Sequence, residues 1–368
     1  MSRKPRIIIS GGGTGGHIFP ALSIADKLKQ LNGDCEILFV GALGKMEMEK
    51  VPAAGYKIIG LPVAGLKRSF SIDNLKLPLK VIKSILAARK IVKEFKPDVA
   101  VGVGGYASAP LLWTASRMGI PYLIQEQNSF AGLTNRILGK RASAICVAYG
   151  EMERFFPKTK ILLTGNPVRN NIKKSTQSDK EEAIKQYNLN PSKKTLFVTG
   201  GSLGARRLNN CIKQYIIENQ SSEYQIIWQY GKIYSDEISA FLNNNQRDYI
   251  HASDFIPRMD LAFAAADVIV TRAGAGTISE LCIAGKAVIF VPSPNVTEDH
   301  QTYNAMSLVK QSAAKIVKDS EAEMTLMKSV DSLIKNDEEI KKLESNIEKL
   351  AMLDAAEVIA KEVLKLVK

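Results

Sequence analysis

Four times in this 368-residue chain a short β-branched run ends in a glycine cluster that opens into a helical period. The clusters are GGGTGG (11–16), GVGGYAS (102–108), GGSLGA (200–205) and RAGAGT (272–277). Glycine permits positive φ and lets the backbone approach a ligand closely. The N–H groups and dipole of the helix that follows favour an anion at that spot. One such turn is a common connection between a strand and a helix. Four of them, in two matching halves, predict a phosphate-binding cleft.

The surrounding pattern sets the fold class. RIIIS leads through the first cluster to FPALSIADKLKQL and then to EILFV; DVAVGVGGYASAPLLWTASRMG repeats the arrangement before PYLIQEQ, AICVA and KILLTGNPVR. Strands alternating with helices predict an α/β fold with a parallel, doubly wound sheet covered on both faces. Around Asn166–Pro191 the sequence turns polar and lysine-rich, then restarts with KTLFVTGGSLGARRLNNCIKQYI. The expectation is two Rossmann-like domains facing across a cleft, 1–165 and 166–343. A charged helical tail over 344–368 is expected to return to the first domain.

Composition narrows the partners. The formal net charge of +13 points to an acidic partner: nucleic acid, an anionic membrane surface or a phosphorylated substrate. No aromatic stacking motif or helix-turn-helix pattern supports nucleic acid. Cys35, Cys146, Cys211 and Cys282 are far apart with no C-x-x-C pair, which argues against a zinc site or a disulfide framework and fits a reducing cytosol. Neither a protein-bound metal nor a cofactor is expected. The apolar stretch after the basic N-terminus is too short for a signal-peptide core, and no apolar run reaches the length of a membrane span. Any membrane contact is expected to be peripheral. Residues 67–96 carry nine basic side chains against Asp73 and Glu94, interleaved with Leu75, Leu77, Leu79, Val81, Ile82, Ile85 and Leu86. Such a stretch is either an ordinary amphipathic helix with a solvated face or a surface that docks on anionic lipid.

Gly11, Gly13 and Gly16 satisfy the G-x-G-x-x-G spacing of a dinucleotide-binding turn. The next strand, however, runs out as EILFVGALG, without the terminal acid that would hold the ribose of NAD. Glu36 lies at its beginning, and the third cluster lacks the spacing altogether. NAD is therefore a poor fit.

The stretch VIVTRAGAGTISELCIAGKAVIFVPSPNVTEDHQTYNA (268–305) is more specific. A helix is expected to begin near Thr277, with Glu280 about one turn in, where a carboxylate can accept two hydrogen bonds from vicinal ribose hydroxyls. His300, Gln301 and Asn304 suit sugar hydroxyls. This stretch resembles the donor region of two-domain, GT-B-type nucleotide-sugar glycosyltransferases. Together with GGGTGGHIFPAL, GVGGYASAP, QEQNSFAGLTNR, GNPVR and GGSLGARRLN, in that order, it resembles the bacterial lipid II-forming N-acetylglucosaminyltransferases from Gly11 to Ala305.

The resemblance implies an inverting transfer from UDP-N-acetylglucosamine to the 4-hydroxyl of a lipid-linked N-acetylmuramyl-pentapeptide, at the cytoplasmic face of the cell membrane. It implies that Gly201 and Ser202 contact the donor diphosphate, that Phe255 and Ile256 border the uracil, and that Glu280 holds the ribose. Arg169 and Arg272 would add nucleotide contacts, and Asn128, His300 and Gln301 would face the sugar. Thr14, Gly15, Gly16, Gly104, Gly105 and Tyr106 would cradle the acceptor diphosphate. His17 is the first candidate base, because an imidazole suits proton transfer near neutrality, and Glu126 is the second. Plainer roles stand beside these: a loop-binding helix-start residue for His17, a first-turn acid for Glu280, a buried paired carboxylate for Glu126, solvated charges for Arg206 and Arg207. His251, with no motif around it, is expected to be structural. Two other functions fit a UDP-sugar fold: a diacylglycerol glycosyltransferase, and a UDP-sugar epimerase or binding protein.

Overall fold

The computed structural model describes residues 4–63, 77–105, 107–169, 171–201 and 203–367, with backbone alone at 77–79 and 297. Ser202 and Tyr106 of the expected site, and residues 67–76 of the basic segment, lie outside the described residues. The chain forms two compact units, one of residues 1–169 with 352–368, the other of residues 170–351.

The first unit is built on a seven-stranded sheet. Its strands are β1 (Arg6–Ser10), β2 (Glu36–Ala42), β3 (Lys57–Leu61), β4 (Val99–Gly102), β5 (Tyr122–Glu126), β6 (Ala144–Val147) and β7 (Ile161–Leu163). They run parallel in the order β3-β2-β1-β4-β5-β6-β7. The isoleucine run of β1 explains its central place, because successive side chains point to opposite faces. Ile7 and Ile9 pack with Ile18, Ile24 and Leu28 of α1 (Gly15–Leu31), while Ile8 packs with Ala88, Ile91 and Val92 of α3 (Leu77–Phe95). A strand covered on both sides needs apolar residues at every position, and each fully buried isoleucine contributes about 1.5–3 kcal/mol.

The chain's last helix, α14 (Ala355–Lys365), belongs to this unit. Ile359, Ala360 and Val363 join the same core as α1, and Lys27 pairs with Glu357 at 3.7 Å. The charged tail is thus two helices in different units, since α13 (Asp337–Glu348) belongs to the second.

The second unit repeats the plan with six parallel strands in the order β10-β9-β8-β11-β12-β13. These are β8 (Thr195–Thr199), β9 (Gln225–Gln229), β10 (Ile250–Ser253), β11 (Val268–Thr271), β12 (Val288–Phe290) and β13 (Lys315–Ile316). In the central β8, Leu196 and Val198 face the cluster around Trp228, and Phe197 faces Phe263 at 6.1 Å between ring centroids. The polar stretch between the two repeats is more than a linker. It holds α6 (Gln177–Gln186), started by a capping box in which Thr176 and Asp179 satisfy each other's backbone N–H. The four cysteines are buried and free of disulfides. Burial pushes the Cys146, Cys211 and Cys282 thiols up to about 12, so they behave as small apolar residues.

Candidate active site

In each sheet the strand order reverses at one point, and a crevice opens there at the carboxyl ends of the strands. In the first unit the reversal lies between β1 and β4, in the second between β8 and β11. The four glycine clusters follow these four strands. The sheet topology sets neighbouring strands before each expected pair of clusters, 11–16 with 102–108 and 200–205 with 272–277.

In the first unit the two turns interlock. Gly104 and Gly105 have φ of +90° and +87°, a region that L side chains rarely adopt. A Cβ on Gly105 would stand 2.3 Å from the Gly12 carbonyl oxygen, and one on Gly104 would stand 2.5 Å from Cδ2 of His17. Thr14, Gly15, Gly16, His17, Gly104 and Gly105 are thereby brought together. Gly105→Ala is expected to lower stability by at least ~1–3 kcal/mol through strain and overlap, which thermal unfolding measures.

His17 sits in the first turn of α1, with Nδ1 3.1 Å from the Gly12 carbonyl oxygen and 3.2 Å from Thr14 Oγ1. A carbonyl only accepts, so the first contact assigns the proton to Nδ1 and puts the basic lone pair on Nε2. The ring edge at Nε2 lies toward Gly104. Beneath the turn is a carboxylate that has no motif around it in the sequence. Glu47 opens α2 (Glu47–Ala53), is fully buried, and accepts from the Gly13 and Ala42 N–H groups at 2.9 Å each. The Gly13 amide is thus engaged by Glu47, and the amides of Thr14, Gly15 and Gly16 follow it toward α1.

Glu126 ends β5 and is buried. Its oxygens accept from the Asn128 and Gly132 backbones at 3.1 and 3.2 Å, and from the Asn135 and Asn128 side chains at 2.8 and 3.4 Å. Burial pushes its carboxyl up, and these donors pull it back. With these four donors it ties the 128–132 loop, and Asn128 with it, to the end of β5. A further buried set joins the strand ends. Gln127 Nε2 donates to Val103 O, Gln125 Nε2 donates to Asn166 Oδ1, and Asn166 Nδ2 donates back to Gln127 O, at 2.6–3.1 Å. Arg169, half-buried, lies at the end of this unit. A cavity of about 630 Å³ opens elsewhere, at the amino ends of β5 and β6 beside Tyr122, Arg141 and Lys365, away from the glycine turns.

In the second unit Gln229, also unsignalled in the sequence, ties two expected contacts together. Its Nε2 donates to Gly201 O at 3.0 Å, and its Oε1 accepts from Ile256 N at 3.2 Å. Ile256 is buried, whereas Phe255 is exposed and carries Lys232 Nζ 5.4 Å from its ring centroid. The helix after the fourth cluster, α10, spans Ala275–Ala284 and so begins before Thr277. The N-cap Gly274 and the following Gly276 leave open space around the turn. Glu280 sits in the middle of α10, 8 % exposed. Gln301 and His300 open α11 (His300–Val309), and Gln301 Oε1 accepts from Ser293 N at 2.8 Å. Arg272 also has a structural role. Its Nη1 donates to Val291 O at 2.9 Å and to Asp319 Oδ1 at 2.6 Å, so its charge fastens the β11 turn to the neighbouring loops. His251 is half-buried in the edge strand β10, and burial lowers its pKa. Among the described residues no cluster of His, Cys, Asp or Glu is assembled that could hold a metal ion.

Family comparisons agree with this paired architecture. The glycosyltransferase family 28 N-terminal domain matches residues 7–147, and the family 28 C-terminal domain matches residues 195–360. The chain belongs to glycosyltransferase family 28. Relatives of this family-28 chain include the UDP-N-acetylglucosamine–N-acetylmuramyl-(pentapeptide) pyrophosphoryl-undecaprenol N-acetylglucosamine transferase of Phocaeicola vulgatus, 55% identical over 367 residues, 100% of this chain and 97% of the relative. The transferase of the same name from Bacteroides thetaiotaomicron is 52% identical, covering 100% and 99%. Among solved structures, Acinetobacter baumannii MurG superposes with a TM-score of 0.78 at 28% identity, covering 98% and 99% of the two chains. A UDP-GlcNAc 2-epimerase from Neisseria meningitidis, solved with UDP-GlcNAc bound, superposes at 0.66 with 13% identity over 99% and 100%, a likeness of fold alone.

Proposed function

We propose that this family-28 glycosyltransferase moves N-acetylglucosamine from UDP-N-acetylglucosamine to the 4-hydroxyl of undecaprenyl-pyrophosphoryl-N-acetylmuramyl-pentapeptide, the step from lipid I to lipid II. The observation that carries this reading is the full-length identity of 55% to a relative named for that transfer. The expected test result is a lipid-linked product from labelled UDP-N-acetylglucosamine and a short-chain lipid I analogue. An active donor-binding protein that makes no such product would overturn it.

The second unit takes the donor. The turn at Gly201 and the N-terminus of α10 suit the donor diphosphate, since the dipole at a helix start favours an anion. Glu280 holds the ribose, Phe255 and Ile256 border the uracil, and His300, Gln301 and Asn128 serve the sugar. The first unit takes the acceptor, with the Thr14–Gly16 and Gly104–Gly105 turns as the diphosphate cradle. In the transfer the acceptor hydroxyl attacks the anomeric carbon, a new C–O bond forms, and the bond to UDP breaks with its electron pair leaving on the diphosphate. The hydroxyl proton passes to Nε2 of His17. His17 rather than Glu126 takes this role because the four donors around Glu126 occupy its oxygens.

The acceptor is anchored in a bilayer, and the chain meets that surface peripherally, at the cytoplasmic face where the UDP-sugar is available. Among the described residues no helix is long and apolar enough to cross a membrane. Helix α3 buries Ser84, Ala88, Ile91 and Val92 toward the core, yet leaves Val81, Ile82 and Leu86 about half exposed amid Lys83, Arg89, Lys90 and Lys93. The adjacent α4 (Ser108–Arg117) adds an exposed Trp113 with the Arg117 guanidinium over its ring. Apolar side chains ringed by cations suit anionic lipid. Replacing Ile82 and Leu86 by serine is expected to weaken co-sedimentation with anionic vesicles about tenfold, with turnover on a detergent-soluble acceptor retained.

A further inference from the structure

We propose that Glu47 is a positioning residue for the transfer, acting on His17 through the one peptide group that joins Gly12 to Gly13. The Gly13 N–H of that group donates to Glu47 Oε2 at 2.9 Å, and its carbonyl, Gly12 O, meets His17 Nδ1 at 3.1 Å. Carboxylate, peptide and imidazole thus form one hydrogen-bonded line. A charge drawing on the N–H end of a peptide raises the acceptor strength of its oxygen, so the bonds reinforce one another. The effect on His17 is to favour the tautomer with Nδ1 protonated and the lone pair on Nε2. A carboxylate bonded directly to a histidine does the same in hydrolytic triads; here a backbone amide stands between them.

The surroundings are shaped for this carboxylate. Glu47 is fully buried, and its other oxygen takes the Ala42 N–H at 2.9 Å. A Cβ on Gly12 would lie 2.2 Å from Oε1, and one on Gly41 would lie 2.5 Å from Cγ, so two glycines clear the space it fills. Both oxygens accept from backbone N–H groups, which requires an acceptor on each side. A negative charge under a cradle for diphosphate opposes the ligand by simple Coulomb interaction. Its presence there makes sense if it serves the histidine at the rim.

The inference rests on His17 as base, and the test separates the two. The chain has three histidines, so the ring nitrogens of His17 can be followed by 15N NMR and assigned by their loss in His17→Ala. In the unmodified protein the ring is expected to be Nδ1-protonated. In Glu47→Gln it is expected to become a mixture of tautomers. The kcat should then fall about ten- to a hundredfold, with KM for UDP-N-acetylglucosamine within about twofold. A folded Glu47→Gln protein with unchanged His17 ring shifts would overturn the proposal. So would altered shifts with undiminished kcat; in that case an active His17→Ala assigns the failure to His17 and an inactive one to Glu47. Should Glu47→Gln not fold, Glu47→Asp keeps the charge, shortens the reach by one methylene and is read by the same shifts and rates.

Discussion

Replacing His17 by alanine is expected to lower kcat by about 10²–10⁴-fold, the usual contribution of a positioned general base. Affinity for UDP-N-acetylglucosamine should hold, because His17 belongs to the first unit's turn while the nucleotide contacts proposed above, Arg169 apart, belong to the second. The structural basis is the Nδ1 contact to the Gly12 carbonyl, which fixes the ring beside the two interlocked glycine turns with Nε2 toward Gly104. His17→Gln retains a hydrogen-bonding group of similar reach but cannot take up a proton, and it should be nearly as slow as alanine. The measurement is single-turnover transfer at saturating donor with a lipid I analogue. A turnover within threefold of the unmodified enzyme would remove His17 as the base.

Glu280→Ala is expected to act on the other substrate, raising Kd for UDP and for the UDP-sugar by about 10- to 100-fold. A carboxylate bonded to two vicinal hydroxyls loses about 1.5–3 kcal/mol when truncated, and 1.4 kcal/mol is a factor of ten. The carboxylate is well placed to matter, being 8 % exposed in the middle of α10 rather than a solvated charge at the helix start. Removing it should change kcat at saturating donor far less than KM, the signature of a group that binds ground and transition states alike. Calorimetric titration of UDP decides this. An unchanged Kd would assign Glu280 to the fold of α10 alone.

The clearest features of the sequence are those with a short period. Alternating apolar runs and glycine clusters set the parallel α/β class, the number of repeats and the four turns, because strand pleat and helix dipole act over a few residues. His17 and Glu280 are candidates for the same reason, each standing beside its own glycine cluster. Their partners are not. Glu47 lies 30 or more residues from the turn it holds, and Gln229 reaches Gly201 and Ile256 from a neighbouring strand. Side chains of this kind leave no local pattern.

Arg272 and Glu126 mark the opposite limit. Both stand in motifs that suggest ligand contact, and both are also bonded to the chain itself, Arg272 through Nη1 to Val291 O and Asp319, Glu126 to Asn128, Gly132 and Asn135. A sequence names a charged group but not what neutralises it. The sequence by itself determined which segments become strands, turns and helices, since those follow from local sterics and hydrophobic period. Tertiary structure alone decided which carboxylates are bonded to the backbone and which way the His17 ring presents its lone pair. Those outcomes depend on strand order and on hydrogen bonds that close only once distant segments meet.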